Sequence, residues 1–173
     1  MTALIHAELQ KVRTTRTIWA LLAATAAVTA LAVAGAVFGG ANAGTDLESD
    51  AGVRLALHVA STGAVFVLVL GMIMSAGEYR HGTATDTYLT TPARWPVTTA
   101  KVATAAALGL GFGALSAAIA FAVANHAYQI KGYTLPTGSG DVTAILLGDV
   151  VYAALFGAIG AALGSLVRNQ VAA

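Results

Sequence analysis

Residues 18–38 read IWALLAATAAVTALAVAGAVF, 21 positions without a charged side chain. A helix of that length covers the roughly 30 Å of hydrocarbon in a bilayer, where every backbone N–H and C=O must find its partner within the segment. In water the same helix would have no polar face to present. Three further stretches repeat the pattern. Leu55 to Gly77 is 23 residues long and its one ionisable group is His58. Between Lys101 and Lys131 lie 29 uncharged residues, with the span over Val102 to Ala124 and the polar Asn125 and His126 beyond it. Val142 to Val167 carries one charge, Asp149.

Composition agrees with this reading. Hydrophobic residues make up 57% of the 173 positions and charged residues 10%, against about a quarter charged in soluble domains. The mean hydropathy is +0.76. The expected fold is therefore all-α: a polytopic membrane protein with four transmembrane helices, 18–38, 55–77, 102–124 and 142–167, in one transmembrane domain over 1–173. Lys11, Arg13 and Arg16 before the first apolar run, with Ala41-Asn42-Ala43 after it, imitate a secretion signal. A signal's apolar core is only about 7–15 residues and is not followed by three more spans, so the first helix reads as uncleaved.

Lysine and arginine in short loops set orientation. Lys11, Arg13, Arg16, Arg80, Arg94, Lys101 and Arg168 fall on one side of the four spans, while Arg54 and Lys131 share the other with Asp46, Glu48, Asp50 and Asp141. Both termini are expected in the cytoplasm of a cell-membrane protein, with 45–50 an external loop.

Much chemistry is excluded. There is no cysteine, hence no disulfide framework and no thiolate site. No glycine-rich phosphate loop ends in Lys and Ser or Thr, so this chain does not cradle ATP in the Walker manner. His6, His58, His81 and His126 lack ligand spacing, and no nucleophile signature occurs. A net charge of +1 is too near zero to argue for nucleic acid or an acidic substrate. The chain is expected to be no enzyme by itself and to hold no metal or cofactor.

Two polar segments remain. Met1, Ile5, Leu9 and Val12 share a helical stripe, which fits a helix lying in the membrane interface, or else a basic tail that only sets topology. The segment 78–101 joins the second and third spans. Gly82 can end the second span, Thr83 or Thr85 can cap a short helix, and Pro92 stops it. With Tyr88 and Leu89 as apolar anchors and Asp86 as a charged contact, that helix has the form of a docking knob for a cytoplasmic partner; the alternative is a plain connecting loop. Glycines four apart, Gly35 and Gly39, Gly109 and Gly113, Gly160 and Gly164, allow close helix approach.

These residues resemble the permease subunits of ABC transporters of the type 2 exporter class, as found in actinobacteria. That family places an acidic residue in an amphipathic amino-terminal helix before a basic cluster, as Glu8 stands before Lys11, Arg13 and Arg16. Glu78-Tyr79-Arg80-His81-Gly82-Thr83 is similar to its motif at the end of the second span; Pro92, Arg94 and Lys101 match the opening of the third, and Gly160 to Gln170 the close of the fourth. The resemblance covers nearly the whole chain. It implies an exporter subunit that pairs with a second permease chain, as homo- or heterodimer, and with cytoplasmic ATPase subunits that hold ATP and Mg. Residues Ile5, Glu8, Leu9 and Val12 would lie in the connecting helix. Glu78, Arg80, Thr83, Thr85, Asp86, Tyr88 and Leu89 would form the coupling segment that the ATPase grips. The family usually has six spans, so this sequence reads as a chain cut short after the fourth.

Asp149 needs its own account. It lies seven residues past Val142, about 10 Å along the helix, near the depth expected for Ser61 and Thr62. An acidic group there costs roughly 2.5–3.5 kcal/mol on insertion scales, so it faces a partner or a wet cavity. It is either a polar point on a substrate or proton path, which would make the chain a small proton-coupled exporter, or an aspartate hydrogen-bonded across helices. A third class, a four-helix membrane scaffold or immunity protein, needs no transport at all.

Overall fold

Alanine and leucine enter helices at little cost, and in hydrocarbon a chain without a sheet partner has no other way to pair its backbone. The computed structural model describes residue 10 and residues 15–80, 94–137 and 140–166. Among these, every regular element is helical. Helix α1 is Arg16–Asn42, α2 is Asp50–His58, α3 is Ala64–Arg80, α4 is Arg94–Ile130 and α5 is Gly140–Leu166; a 3-10 segment, Val59–Gly63, joins α2 to α3. Among the described residues four helices are long and apolar enough to cross a membrane: α1, the run Asp50–Gly77 through α2 and α3, α4, and α5. The protein is a membrane protein.

The helices outrun the spans read from hydropathy. At 1.5 Å per residue α4 is about 55 Å long, and it begins at Arg94 rather than after Lys101. Residues 94–101, placed in the polar segment by the sequence, are thus the first two turns of α4. Lys101 is buried, at 7% exposure. Pro96 is tolerated because the first turn has no carbonyl partner for its missing N–H. Trp19 and Trp95, both exposed near one end of the bundle, are at the level where indoles favour a membrane–water boundary.

The opposite end carries Asp46, Glu48, Asp50 and Asp141 and is here called the acidic end. Both helices that arrive there stop in the same way. Gly44 (φ 77°) and Gly132 (φ 79°) take left-handed backbone, which glycine adopts without Cβ strain. Thr45 N–H then donates to Gly40 O at 2.9 Å and Tyr133 N–H to Tyr128 O at 3.0 Å, the Schellman pattern that satisfies the last carbonyls. The Ser49 hydroxyl oxygen caps α2, accepting from Gly52 N–H at 3.2 Å. The connection 43–49 is not a free loop. Leu47 is buried among Val33, Val37, Leu57 and Tyr128, and the Tyr128 hydroxyl donates to the Leu47 carbonyl at 2.7 Å.

Helix α5 is the hub, packed most extensively on α4 and α3. Glycines set these crossings. A Cβ at Gly109 would lie 2.5 Å from the Ala153 carbonyl, at Gly113 2.7 Å from Val150 Cα, and at Gly164 2.6 Å from the Met72 carbonyl. Gly160 likewise abuts the backbone of Leu68. The remaining pair behaves differently: Gly35 and Gly39 have nothing within 4 Å of a built Cβ. The apolar core is in two parts. One, towards the acidic end, centres on Leu57 and Tyr128; the other holds Ile18, Val67, Leu70 and Phe112. Between them lies a layer of small and polar residues, where Gly63 closely approaches Ser116, Thr25 and Thr29.

Candidate functional site

Asp149 sits beside that layer. Its residue is 4% exposed, and Oδ1 lies 3.9 Å from Nδ1 of His58, an ion pair whenever the imidazole carries a proton. Oδ2 is buried and meets no hydrogen-bond donor among the described residues. The two side chains meet because they lie at equal depth on neighbouring helices: His58 is eight positions past Asp50, and Asp149 eight past Asp141. One turn nearer the acidic end, Arg54 Nη2 bonds Asp141 Oδ2 at 3.4 Å. The facing sides of α2 and α5 therefore carry two charged or chargeable pairs, one above the other.

Two spaces flank Asp149. Towards the acidic end, Arg54, His58, Asp141, Ala144, Ile145 and Gly148 line an open groove of about 270 Å³. The side chain of His58 is 67% exposed there. On the other flank, Ala60, Ser61, Gly63, Phe112, Ser116 and Asp149 line a crevice with no space for a water molecule. His58 thus stands between groove and carboxyl.

The backbone breaks its regularity at this level. The 3-10 turn Val59–Gly63 directly follows His58. Ser61 and Thr62 donate back to the carbonyls of His58 and Val59 at 2.7 Å each, hydroxyl bonds that stand in for the α-helical ladder. A short 3-10 stretch inside a long helix is a frequent mark of a hinge or a functional position. Gly63 lets the turn approach Ser116 and Thr29, whose hydroxyls lie 3.5 Å apart.

Of the residues expected to matter, Asp149 and Ser61 do share one crevice, whereas Thr62 is exposed and not part of it. Hydropathy gave no reason to pair His58 with Asp149, and the spans read from the sequence place them at different distances from their starts. Glu78 and Arg80 lie in the last turn of α3, and the positions of their side chains are outside the described residues. Thr83, Thr85, Asp86, Tyr88 and Leu89, and the interfacial set Ile5, Glu8, Leu9 and Val12, also lie outside them. Among the described residues no group of three or more His, Cys, Asp or Glu could hold a metal ion. Set against family models, curated proteins and solved structures, the chain matches none of them.

Proposed function

We propose that the chain is the membrane-spanning subunit of an ATP-driven exporter of the type 2 ABC permease kind, coupled through residues 78–93 to a separate cytoplasmic ATPase that holds ATP and Mg. The observation that carries the reading is the motif Glu78 to Thr83 with Pro92, Arg94 and Lys101, standing between the second and third spans on the side richest in Lys and Arg. The bundle supports it mechanically. The helices on either side of that segment, α3 and α4, both lock onto α5 through backbone-to-backbone glycine contacts, so a push on the segment reaches the packed bundle without slack. Tyr88, Leu89 and Asp86 are the residues that seat in the ATPase.

A second permease chain has a natural surface. The face of α1 bearing Ala27, Leu31, Gly35 and Gly39 is exposed, and small residues four apart allow close backbone approach in lipid. The test is co-purification with a phosphate-loop ATPase from the same cell. A complex is expected, with ATP-dependent export lost in Tyr88→Ala and Asp86→Arg. No complex, together with export untouched by both substitutions, would remove the reading. It would leave the field to a proton-driven carrier if a pH gradient moved solute, or to a non-transporting scaffold if neither gradient nor ATP did.

A further inference from the structure

The proposed coupling through residues 78–93 gives the pair His58 and Asp149 no task, and its placement is costly. A carboxyl in a membrane-spanning helix normally faces a partner or water; here one oxygen faces an imidazole and the other has no donor among the described residues. We propose that Asp149 and His58 form a proton-binding site that exchanges with the acidic end of the bundle through the groove between α2 and α5, His58 acting as the relay. The inference is independent of whether an ATPase drives the chain.

Three features of the geometry carry it. First, among the described residues access is one-sided: the 270 Å³ groove reaches His58 from the acidic end, while the crevice on the inner flank of Asp149 has no room for a water molecule. Second, among the described residues the imidazole is the one group between groove and carboxyl. Among the described residues, α2 presents His58 to the carboxyl, with Arg54 a turn further out. Helix α5 adds Asp141, already bonded to Arg54 at 3.4 Å; α4 offers only the neutral Ser116, and α1 only Thr29 behind it. Third, the site adjoins the 3-10 turn at 59–63, a segment able to change its hydrogen bonding more cheaply than a regular helix.

The transfer balances without another reactant. A hydronium ion in the groove gives its proton to the imidazole and remains as water. The Nδ1–H bond of the imidazolium then breaks as the proton bonds to Asp149 Oδ1, so that an ion pair becomes two neutral groups. At 3.9 Å the atoms stand beyond hydrogen-bond reach, and the exposed imidazole closes the gap by turning about its side-chain torsions, a motion of picoseconds to nanoseconds.

The experiment is infrared difference spectroscopy on the full chain in nanodiscs, with carbon-13 aspartate and stepped pH. One aspartyl C=O band is expected to come and go with pH, to vanish in Asp149→Asn with the helical circular-dichroism spectrum retained, and to return at a shifted frequency in Asp149→Glu. His58→Gln should slow its response at least tenfold. A band that survives Asp149→Asn, no titrating band at all, or an unchanged rate in His58→Gln would overturn the proposal. Sidedness has its own readout, because the chain has no native cysteine. His58→Cys should react with a membrane-impermeant thiol reagent from the acidic end and Ala60→Cys from neither side; equal reactivity of the two would overturn the one-sided site.

Discussion

Adding one methyl group at Gly109 tests whether glycine contacts hold this bundle together. The new Cβ would lie 2.5 Å from the Ala153 carbonyl oxygen and 2.7 Å from Ala154 Cα, where ordinary contact is about 3.5–4.0 Å. Both neighbours are backbone and cannot rotate aside, so α4 and α5 must part by about 1 Å. Overpacking of this kind costs typically 1–3 kcal/mol, and the gain in helix propensity from Gly to Ala returns at most about 1 kcal/mol. The expected net loss for Gly109→Ala is about 1–2 kcal/mol, a five- to thirtyfold fall in the ratio of folded to unfolded chain. The same methyl at Gly39 meets nothing within 4 Å, so Gly39→Ala should be neutral or stabilising. The assay is a reversible unfolding titration in mixed micelles, reading both variants against the parent chain. If Gly109→Ala matched the parent, or Gly39→Ala cost as much as Gly109→Ala, the packing argument would be refuted.

Other outcomes follow from single contacts. Tyr128→Phe leaves the buried Leu47 carbonyl without its 2.7 Å donor and should cost about 1–3 kcal/mol, read in the same titration and as faster proteolysis at 43–49. Ser49→Ala removes the cap on Gly52 N–H and should cost about 1 kcal/mol, with no change at the end opposite the acidic one. Arg54→Ala should change stability by less than about 1 kcal/mol, since its pair with Asp141 is 58% and 47% exposed; a larger loss would mean the pair is held in drier surroundings than its exposure implies. Asp149→Asn keeps the side-chain volume and removes the charge, so unfolding free energy should be unchanged or higher; a marked fall would make Asp149 a structural anchor.

How much of this was legible in the sequence depends on what kind of contact is asked for. Spans are written as apolar runs of bilayer length with at most one charge, so the four helices were plain in 18–38 and its counterparts. Their ends were not, since Gly44 and Gly132, the left-handed stops, lie beyond the ends read at 38 and 124. Facing sides were not. A helix apolar all round has no stripe to tell its packed face from its lipid face, so the spacing of Gly35 and Gly39 looked the same as that of Gly109 and Gly113, though only the latter pair meets a neighbour. For the same reason His58 passed as an isolated group in its span, although it faces Asp149 across two helices. Leu47 was read as part of an external loop because five of its neighbours from 45 to 50 are polar, and a single apolar anchor among polar residues gives no periodic signal.

Sidedness underlies both the coupling segment and the proton site, and the absence of cysteine makes it directly measurable. Intact cells carrying Glu48→Cys or Tyr88→Cys are treated with a membrane-impermeant maleimide before and after permeabilisation. Labelling of Glu48→Cys in intact cells, with Tyr88→Cys reacting only once the membrane is opened, is the predicted result. Tyr88→Cys reacting from outside an intact cell would contradict it, because no cytoplasmic ATPase could then reach residues 78–93 and the groove at His58 would face the cell interior.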